Sequence, residues 1–143
     1  MNIAIIPARG GSKRIKNKNI RSFLGKPIIS YPIKEILKSK IFDKVIVSTD
    51  NDKIANIAKI YGGEILFKRP KELSGDYSNT QEVIVHAINW IEQNIAKPKN
   101  ICCIYPTSPL LKSIDLINSF KIFKTKKWDF LISATEFSYP IQR

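Results

Sequence analysis

The sequence predicts an α/β fold, a three-layer sandwich in which helices cover both faces of a mainly parallel sheet. Short apolar runs of strand length alternate along the chain with longer segments whose apolar residues recur at helical spacing. This alternation is typical of parallel strands joined by crossover helices. Runs such as Val45-Ile46-Val47 are continuously apolar, as expected of strands that are buried on both faces.

The pattern places five strands and four helices in order. Strands are predicted over residues 3–8, 43–48, 64–67, 100–105 and 129–134, and helices over residues 28–38, 51–61, 80–95 and 113–123. Pro27 suits the first turn of the first helix, and Pro32 belongs near its start. Gly62-Gly63 ends the second helix, and one residue of the Ser78-Asn79-Thr80 run caps the third.

The 143 residues are enough for one domain with its own core. We therefore expect a single nucleotide-binding domain over residues 1–143. The chain stops after the fifth predicted strand and an extended segment over residues 138–143, without a closing helix. We expect a domain truncated at its C-terminal end; the alternative is a natural small domain.

The chain is strongly basic, with a formal net charge of +12. The lysines are spread along its whole length, so the total charge alone does not predict a nucleic-acid partner. No stretch approaches the ~18 apolar residues of a membrane span. The N-terminus lacks the basic leader of a signal peptide, and the adjacent Cys102 and Cys103 are expected to be core residues rather than a disulfide. We expect a cytoplasmic protein that binds neither nucleic acid nor a membrane.

The loop over residues 9–19 carries the strongest functional pattern. Gly10 and Gly11 directly follow a strand and let the backbone approach a ligand closely. Five cations surround them, and Ser12 and Asn19 add short polar groups; the cations are Arg9, Lys13, Arg14, Lys16 and Lys18. The spacing matches neither a Walker loop nor a dinucleotide fingerprint. The loop predicts a triphosphate site, and the alternative is an ordinary solvated surface loop.

Two further loops follow predicted strands, where ligands bind in sheets of this kind. Arg69 offers a rigid fork of donors to a base or a phosphate, and Asp76 either accepts from a ribose hydroxyl or caps the next helix. After the fourth strand, prolines stiffen a turn that presents Thr107 and Ser108, and Tyr105 can stack on a ring. A plain turn is the alternative there.

The sequence predicts no metal site in these residues. Asp50-Asn51-Asp52 has the spacing of a paired-aspartate site, but it lies at a helix start, where Asp50 is expected to cap the helix. The single histidine, His86, has no second ligand at metal-binding spacing and is expected to be packed.

Four segments together resemble the acylneuraminate cytidylyltransferases, the CMP-sialic acid synthetases. The first is Ile5-Ile6-Pro7-Ala8-Arg9-Gly10-Gly11-Ser12-Lys13 with Lys18-Asn19; it is followed by Val47-Ser48-Thr49-Asp50, by Arg69-Pro70 with Leu73, and by Pro106-Thr107-Ser108-Pro109-Leu110. The resemblance covers essentially the whole chain. Tyr105, where sialic acid enzymes usually have glutamine, and the tail from Phe137 to Arg143 look more like the branch that activates pseudaminic acid.

The resemblance implies a nucleotide-diphospho-sugar-transferase-like, Rossmann-like fold. It implies that CTP and a nine-carbon 2-keto acid sugar give CMP-sugar and pyrophosphate by attack of the anomeric hydroxyl on the α-phosphorus. It also implies a homodimer in the full-length form and a Mg²⁺ ion whose ligands lie beyond Arg143.

Site roles carry over from the same resemblance. Arg9 and Lys18 would be the catalytic cations, with Ser12 and Lys13 also on the phosphates. The nucleotide site would include Gly10, Gly11, Asn19, Arg69, Asp76 and Tyr105, with Asn19 and Arg69 helping to hold the base.

Three alternatives remain at this point. A Kdo-type cytidylyltransferase is one, although the Lys18-Asn19 ending of the loop argues against it. A non-catalytic nucleotide-binding domain is the second. A basic nucleic-acid-binding domain is the third, although few aromatic residues accompany the basic loop.

Overall fold

The computed structural model describes residues 1–137 and confirms the α/β class. The strands in chain order are β1 (Asn2–Pro7), β2 (Ser22–Phe23), β3 (Lys26–Pro27), β4 (Lys44–Ser48) and β5 (Asn100–Cys103). The helices are α1 (Ser30–Ser39), α2 (Asp52–Ile60), α3 (Thr80–Asn94) and α4 (Ser113–Thr125), with short 3-10 helices at Lys18–Ile20 and Lys71–Leu73. The extended tail expected over residues 138–143 lies outside the described residues.

A parallel sheet of three strands, in the order β4-β1-β5, forms the centre. In the register, Ile5 of β1 pairs with Ile46 on one side and with Cys103 on the other. Ile3 to Ile6 are fully buried, because both edges of β1 are hydrogen-bonded and both of its faces are covered. The continuous apolar run therefore predicted this environment correctly.

Alternate residues of the sheet supply two separate cores. Ala4 and Ile6 pack with Ile33 of α1 and Ile54 of α2 on one face. Ile3 and Ile5 pack with Ala87 and Ile91 of α3 on the other. Helices on both faces of a parallel sheet confirm the predicted three-layer sandwich.

The helix boundaries follow the predicted signals closely. Asn79 caps α3 through Glu82 N at 2.9 Å, and the Glu82 side chain accepts from Asn79 N at 3.1 Å. This reciprocal pair satisfies two backbone donors that the helix itself cannot. Gly62, with φ of 95°, ends the turn after α2. Pro32 lies in the first turn of α1, but Pro27 belongs to β3 instead of this helix.

Two predicted strands are wrong or incomplete. The third, over residues 64–67, is reduced to isolated bridges from Glu64 to Ile46 and from Lys68 to Thr49. The fifth, over residues 129–134, is irregular, and Phe130 and Ile132 are 87% and 82% exposed. An apolar pattern predicts a strand only when a neighbouring backbone is available to pair with it, and residues 129–134 pair with none of the described strands.

The structure also places the two cysteines and the histidine. Cys103 is exposed, so its placement in the core is wrong, whereas Cys102 packs partly buried against the core. The two thiols are free. His86 packs edge-on against Phe67 at 5.2 Å between ring centroids. Over residues 1–137, the helices lack the length and apolar character that a bilayer crossing requires.

Candidate active site

A cavity of about 190 Å³ opens beyond the carboxyl ends of β1 and β5. It brings together six residues that the sequence predicts for the site: Arg9, Lys18, Asn19, Arg69, Asp76 and Tyr105. They come from three loops that are far apart in sequence. The parallel sheet aligns the strand ends from which these loops depart, and this alignment explains the convergence.

Arg9 is held at the rim of the cavity by the loop that precedes α3. Its guanidinium donates to Gly75 O at 2.5 Å and pairs with Asp76 Oδ1 at 3.0 Å. Lys13 pairs with the other carboxylate oxygen at 2.5 Å. The hydrogen bond from Lys13 and the neighbouring charge of Arg9 hold the pKa of Asp76 below its usual value. Asp76 therefore pairs with cations, and the alternative that it caps α3 is wrong.

Asn19 is a buried polar residue in the wall of the same cavity. Its Nδ2 donates to Arg9 O at 2.8 Å, which fixes the backbone from which the Arg9 side chain extends. Its Oδ1 is buried and has no hydrogen-bond partner within residues 1–137. A buried acceptor without a donor is costly, so this oxygen is suited to accept from an N–H or O–H group of a ligand.

Arg69 is only 4% exposed and is anchored to the end of β4. It donates from Nε to Ser48 Oγ at 3.1 Å and from Nη2 to Ser48 O at 2.5 Å. Burial lowers the pKa of Arg69 to about 10, against the opposing effect of nearby Asp50. The guanidinium is therefore a fixed positive charge in the cavity wall at neutral pH.

Asp50 neither caps α2 nor joins a metal cluster. Asn51 caps the helix instead, because its side chain accepts from Ile54 N at 3.1 Å. Asp50 Oδ1 accepts from Gly10 N at 2.8 Å. The Gly10 amide is therefore already occupied by Asp50. Among the described residues there is no group of three or more His, Cys, Asp or Glu side chains that could hold a metal ion.

Gly10 is required by close packing against Asn51. A Cβ at position 10 would lie 2.8 Å from Asn51 Cβ and Nδ2. We expect Gly10→Ala to lower the free energy of unfolding by about 1–3 kcal/mol, because the capping side chain must shift. Urea denaturation measures this loss. Gly11→Ala is the matched control, because its Cβ would meet only Ser74 O at 4.0 Å; equal losses for both variants would contradict the packing explanation.

Not every predicted residue lines the cavity. Gly10, Gly11, Ser12 and Lys13 lie in the adjoining loop, where Ser12 N donates to Gly10 O at 3.0 Å. Lys13 reaches the site only through Asp76. Lys18 begins the 3-10 helix Lys18–Ile20, which turns its side chain to the cavity wall.

The third loop supplies polar groups on the opposite side. Tyr105 is 56% exposed, and its hydroxyl lies 3.1 Å from Thr80 Oγ1. Thr107 also lines the cavity, but Ser108 does not. Ser78 and Thr80 were missed as site residues. Their only sequence signal was the capping pattern before α3, which marks a helix start and not a ligand contact.

The parallel sheet and the cavity lined by cationic side chains beyond its strand ends define a three-layer α/β sandwich protein. The chain belongs to the cytidylyltransferase family, whose sequence model matches residues 3–136.

Curated relatives agree with this family. The chain is 46% identical over 142 residues to a pseudaminic acid cytidylyltransferase of Campylobacter jejuni serotype O:2, covering 99% of this chain and 61% of that protein. It is 38% identical over 141 residues to the N-acylneuraminate cytidylyltransferase of Escherichia coli O18:K1:H7, covering 98% of this chain and 32% of that protein. The chain thus spans about three fifths of the first relative.

Solved structures show the same fold at low sequence identity. A CMP-2-keto-3-deoxy-manno-octonic acid synthetase complexed with CTP aligns with a TM-score of 0.73 at 20% identity, covering 88% of this chain and 48% of that chain. A cytidylyltransferase of Leptospira borgpetersenii aligns with a TM-score of 0.66 at 22% identity, covering 85% and 48%. Both support the nucleotide-diphospho-sugar-transferase-like architecture.

Proposed function

We propose that the protein is a nucleotidyltransferase that couples CTP to a nine-carbon 2-keto acid sugar, giving CMP-sugar and pyrophosphate. The observation that carries this proposal is the cavity in which Arg9, Lys18, Asn19 and Arg69 meet, in a chain of the cytidylyltransferase family. Pseudaminic acid is the proposed sugar. Its support is the 42–46% identity to three proteins named for that activity.

Positively charged groups would position the triphosphate in this site. Arg9 and Lys18 line the same cavity, so a polyphosphate there would contact both. The sugar's anomeric hydroxyl would form a bond to the α-phosphorus as the bond to the pyrophosphate oxygen breaks. Negative charge then builds up on the departing pyrophosphate, and fixed cations stabilise it without reorganising. Ser12 and Lys13 are proposed to contact the phosphates from the adjoining loop, with Gly10 and Gly11 shaping that loop.

Buried polar groups would hold the base and ribose. The Asn19 Oδ1 atom needs a donor, which an amino or hydroxyl group of a nucleoside provides. Arg69 is fixed by Ser48, so its other N–H groups would meet an acceptor at a set position. Tyr105 is exposed at the cavity wall and would pack against a ring.

The described residues do not fit a magnesium site. The carboxylate of Asp76 already pairs with Arg9 and Lys13, and Asp50 accepts from Gly10. We therefore propose that ligands for the Mg²⁺ implied by the family lie outside residues 1–137. A homodimeric full-length form and a cytoplasmic location are also proposals.

Pyrophosphate release tests the activity and the sugar together. The protein is incubated with CTP, Mg²⁺ and pseudaminic acid, N-acetylneuraminic acid or Kdo in separate reactions. We expect turnover to be fastest with pseudaminic acid. The chain is 42–46% identical to enzymes named for that sugar and 38% identical to the N-acylneuraminate cytidylyltransferase. Turnover confined to Kdo would overturn the sugar assignment. CTP binding without turnover of any sugar would indicate a non-catalytic nucleotide-binding domain.

Nucleic acid provides the control for non-specific attraction to a basic surface. Binding of an oligonucleotide through that surface would weaken steeply with salt and would survive an excess of CTP. Such a result, together with no measurable CTP binding, would favour the nucleic-acid-binding alternative.

A further inference from the structure

Asp76 places a negative charge among the cations that are proposed to bind phosphate. One carboxylate oxygen lies 3.0 Å from Arg9 Nη2, and the other lies 2.5 Å from Lys13 Nζ. Arg9 Nη1 also donates to Gly75 O at 2.5 Å. Three contacts therefore tie the basic loop to the segment over residues 74–79.

A carboxylate in this arrangement imitates one edge of a phosphate group. Both groups share a negative charge between oxygens that accept hydrogen bonds from a guanidinium and an ammonium ion. A triphosphate that used Arg9 and Lys13 would need the donors that Asp76 now uses. Its oxygens would also approach the carboxylate, and like charges at such distances repel.

The contacts are placed so that they can exchange. The Asp76 side chain is 37% exposed and Lys13 is 83% exposed, and ion pairs open to solvent hold weakly. The other side-chain hydrogen bonds of the segment over residues 74–79 do not involve Asp76: Ser74 Oγ donates to Pro70 O at 2.9 Å, Ser78 Oγ donates to Glu72 O at 2.8 Å, and Asn79 Oδ1 accepts from Glu82 N at 2.9 Å. Tyr77 is fully exposed. Displacing Asp76 therefore disturbs no buried packing.

We propose that Asp76 is a competing internal anion, which occupies the phosphate position in the nucleotide-free protein and must leave Arg9 and Lys13 before a polyphosphate binds. The inference rests on the proposed function, since it takes Arg9 and Lys13 as phosphate ligands. A competing carboxylate at position 76 weakens nucleotide binding, whereas a carboxylate that accepts from the ribose would strengthen it.

Isothermal titration of inorganic tripolyphosphate and of CTP tests the proposal. The proteins are the wild type, Asp76→Asn, Asp76→Ala and the control Asp52→Asn. Asp52 is the matched control because it also pairs with a lysine, Lys68, at 2.9 Å, but does not line the cavity. We expect both Asp76 variants to bind tripolyphosphate roughly three- to tenfold more tightly than the wild type. Asp52→Asn should change the affinity little.

Each outcome decides the proposal. Unchanged or weaker tripolyphosphate binding by both Asp76 variants would overturn it, and so would an equal gain in Asp52→Asn. If CTP binding weakens while tripolyphosphate binding is unchanged, Asp76 contacts the nucleoside, and the proposed function survives without the competing anion. If the wild type binds neither ligand, the proposed function fails as well. A matching thermal denaturation midpoint shows that each variant is folded.

Discussion

Replacing Lys18 with alanine is expected to weaken CTP binding roughly 10- to 100-fold, because a charge-assisted hydrogen bond to a phosphate contributes about 1.5–3 kcal/mol. Of the two proposed catalytic cations, Arg9 and Lys18, a substitution of Lys18 is easier to interpret. It lines the cavity, and it forms none of the ion pairs found among residues 1–137. Its loss would remove a ligand contact without freeing another charged group. Isothermal titration with CTP measures the change.

Arg9→Ala should weaken CTP binding by a similar factor, reduced by the simultaneous release of Asp76. Matched controls lie in the same loop. Lys16→Ala and Arg14→Ala remove the same charge from side chains that do not line the cavity. If all four variants lose affinity equally, the loop attracts CTP only through its overall charge. Unchanged affinity in both Lys18→Ala and Arg9→Ala would show that the phosphate assignment is wrong.

Arg69→Met is expected to lower the free energy of unfolding by about 2–4 kcal/mol. The substitution removes two hydrogen bonds in a buried environment and leaves Ser48 Oγ without its donor, whereas Ser48 O keeps the hydrogen bond from Ala8 N. It also removes a proposed nucleotide contact, so CTP affinity should fall as well. Urea denaturation at neutral pH measures the stability. Arg21→Met is the control, because Arg21 is exposed and its replacement should change stability by less than about 0.5 kcal/mol.

The pH dependence of this loss gives a second check. Burial holds the pKa of Arg69 in the folded protein at about 10, below its usual value. The folded protein therefore releases this proton first as the pH rises, so the titration of Arg69 changes the stability, by raising it, only above about pH 10. The difference between wild type and Arg69→Met should be constant over roughly pH 6 to 8. A slope in that range would show that another titrating group is involved.

Residues whose environment is set by their own neighbours in sequence were predicted well. The run from Ile3 to Ile6 has no polar residue, so it fits only a strand buried on both faces. Asn79, one of the three residues predicted as the cap of α3, is the cap, and Glu82 completes a capping box that was not predicted. In each case local chemistry and tertiary structure favour the same conformation.

Two kinds of feature were not predicted, namely a local turn that lacks its usual residues and ion pairs between distant loops. The turn between β2 and β3 has positive φ at Leu24 and Gly25, 45° and 79°. Leucine rarely adopts such a conformation. Because the turn has Leu-Gly in place of the usual Asn-Gly or Asp-Gly, the sequence carries no hairpin signal there. Asp76 lines the same cavity as the basic loop, but its ion pairs with Arg9 and Lys13 join loops that are more than 60 residues apart. Neither the spacing of apolar residues nor a sequence motif indicates contacts over such a separation.

The central position of β1 also has a consequence for how the chain is made. β1 is synthesised before its partner β5, because Asn2 pairs with Asn100, 98 residues later. At about 5–20 residues per second, that partner is synthesised roughly 5 to 20 seconds afterwards. Until then one edge of a strand whose residues from Ile3 to Ile6 are all apolar is open to other nascent chains. Slow translation or limited chaperone capacity should therefore reduce the yield of folded protein. The reduction should be larger than for a protein whose paired strands are consecutive in sequence.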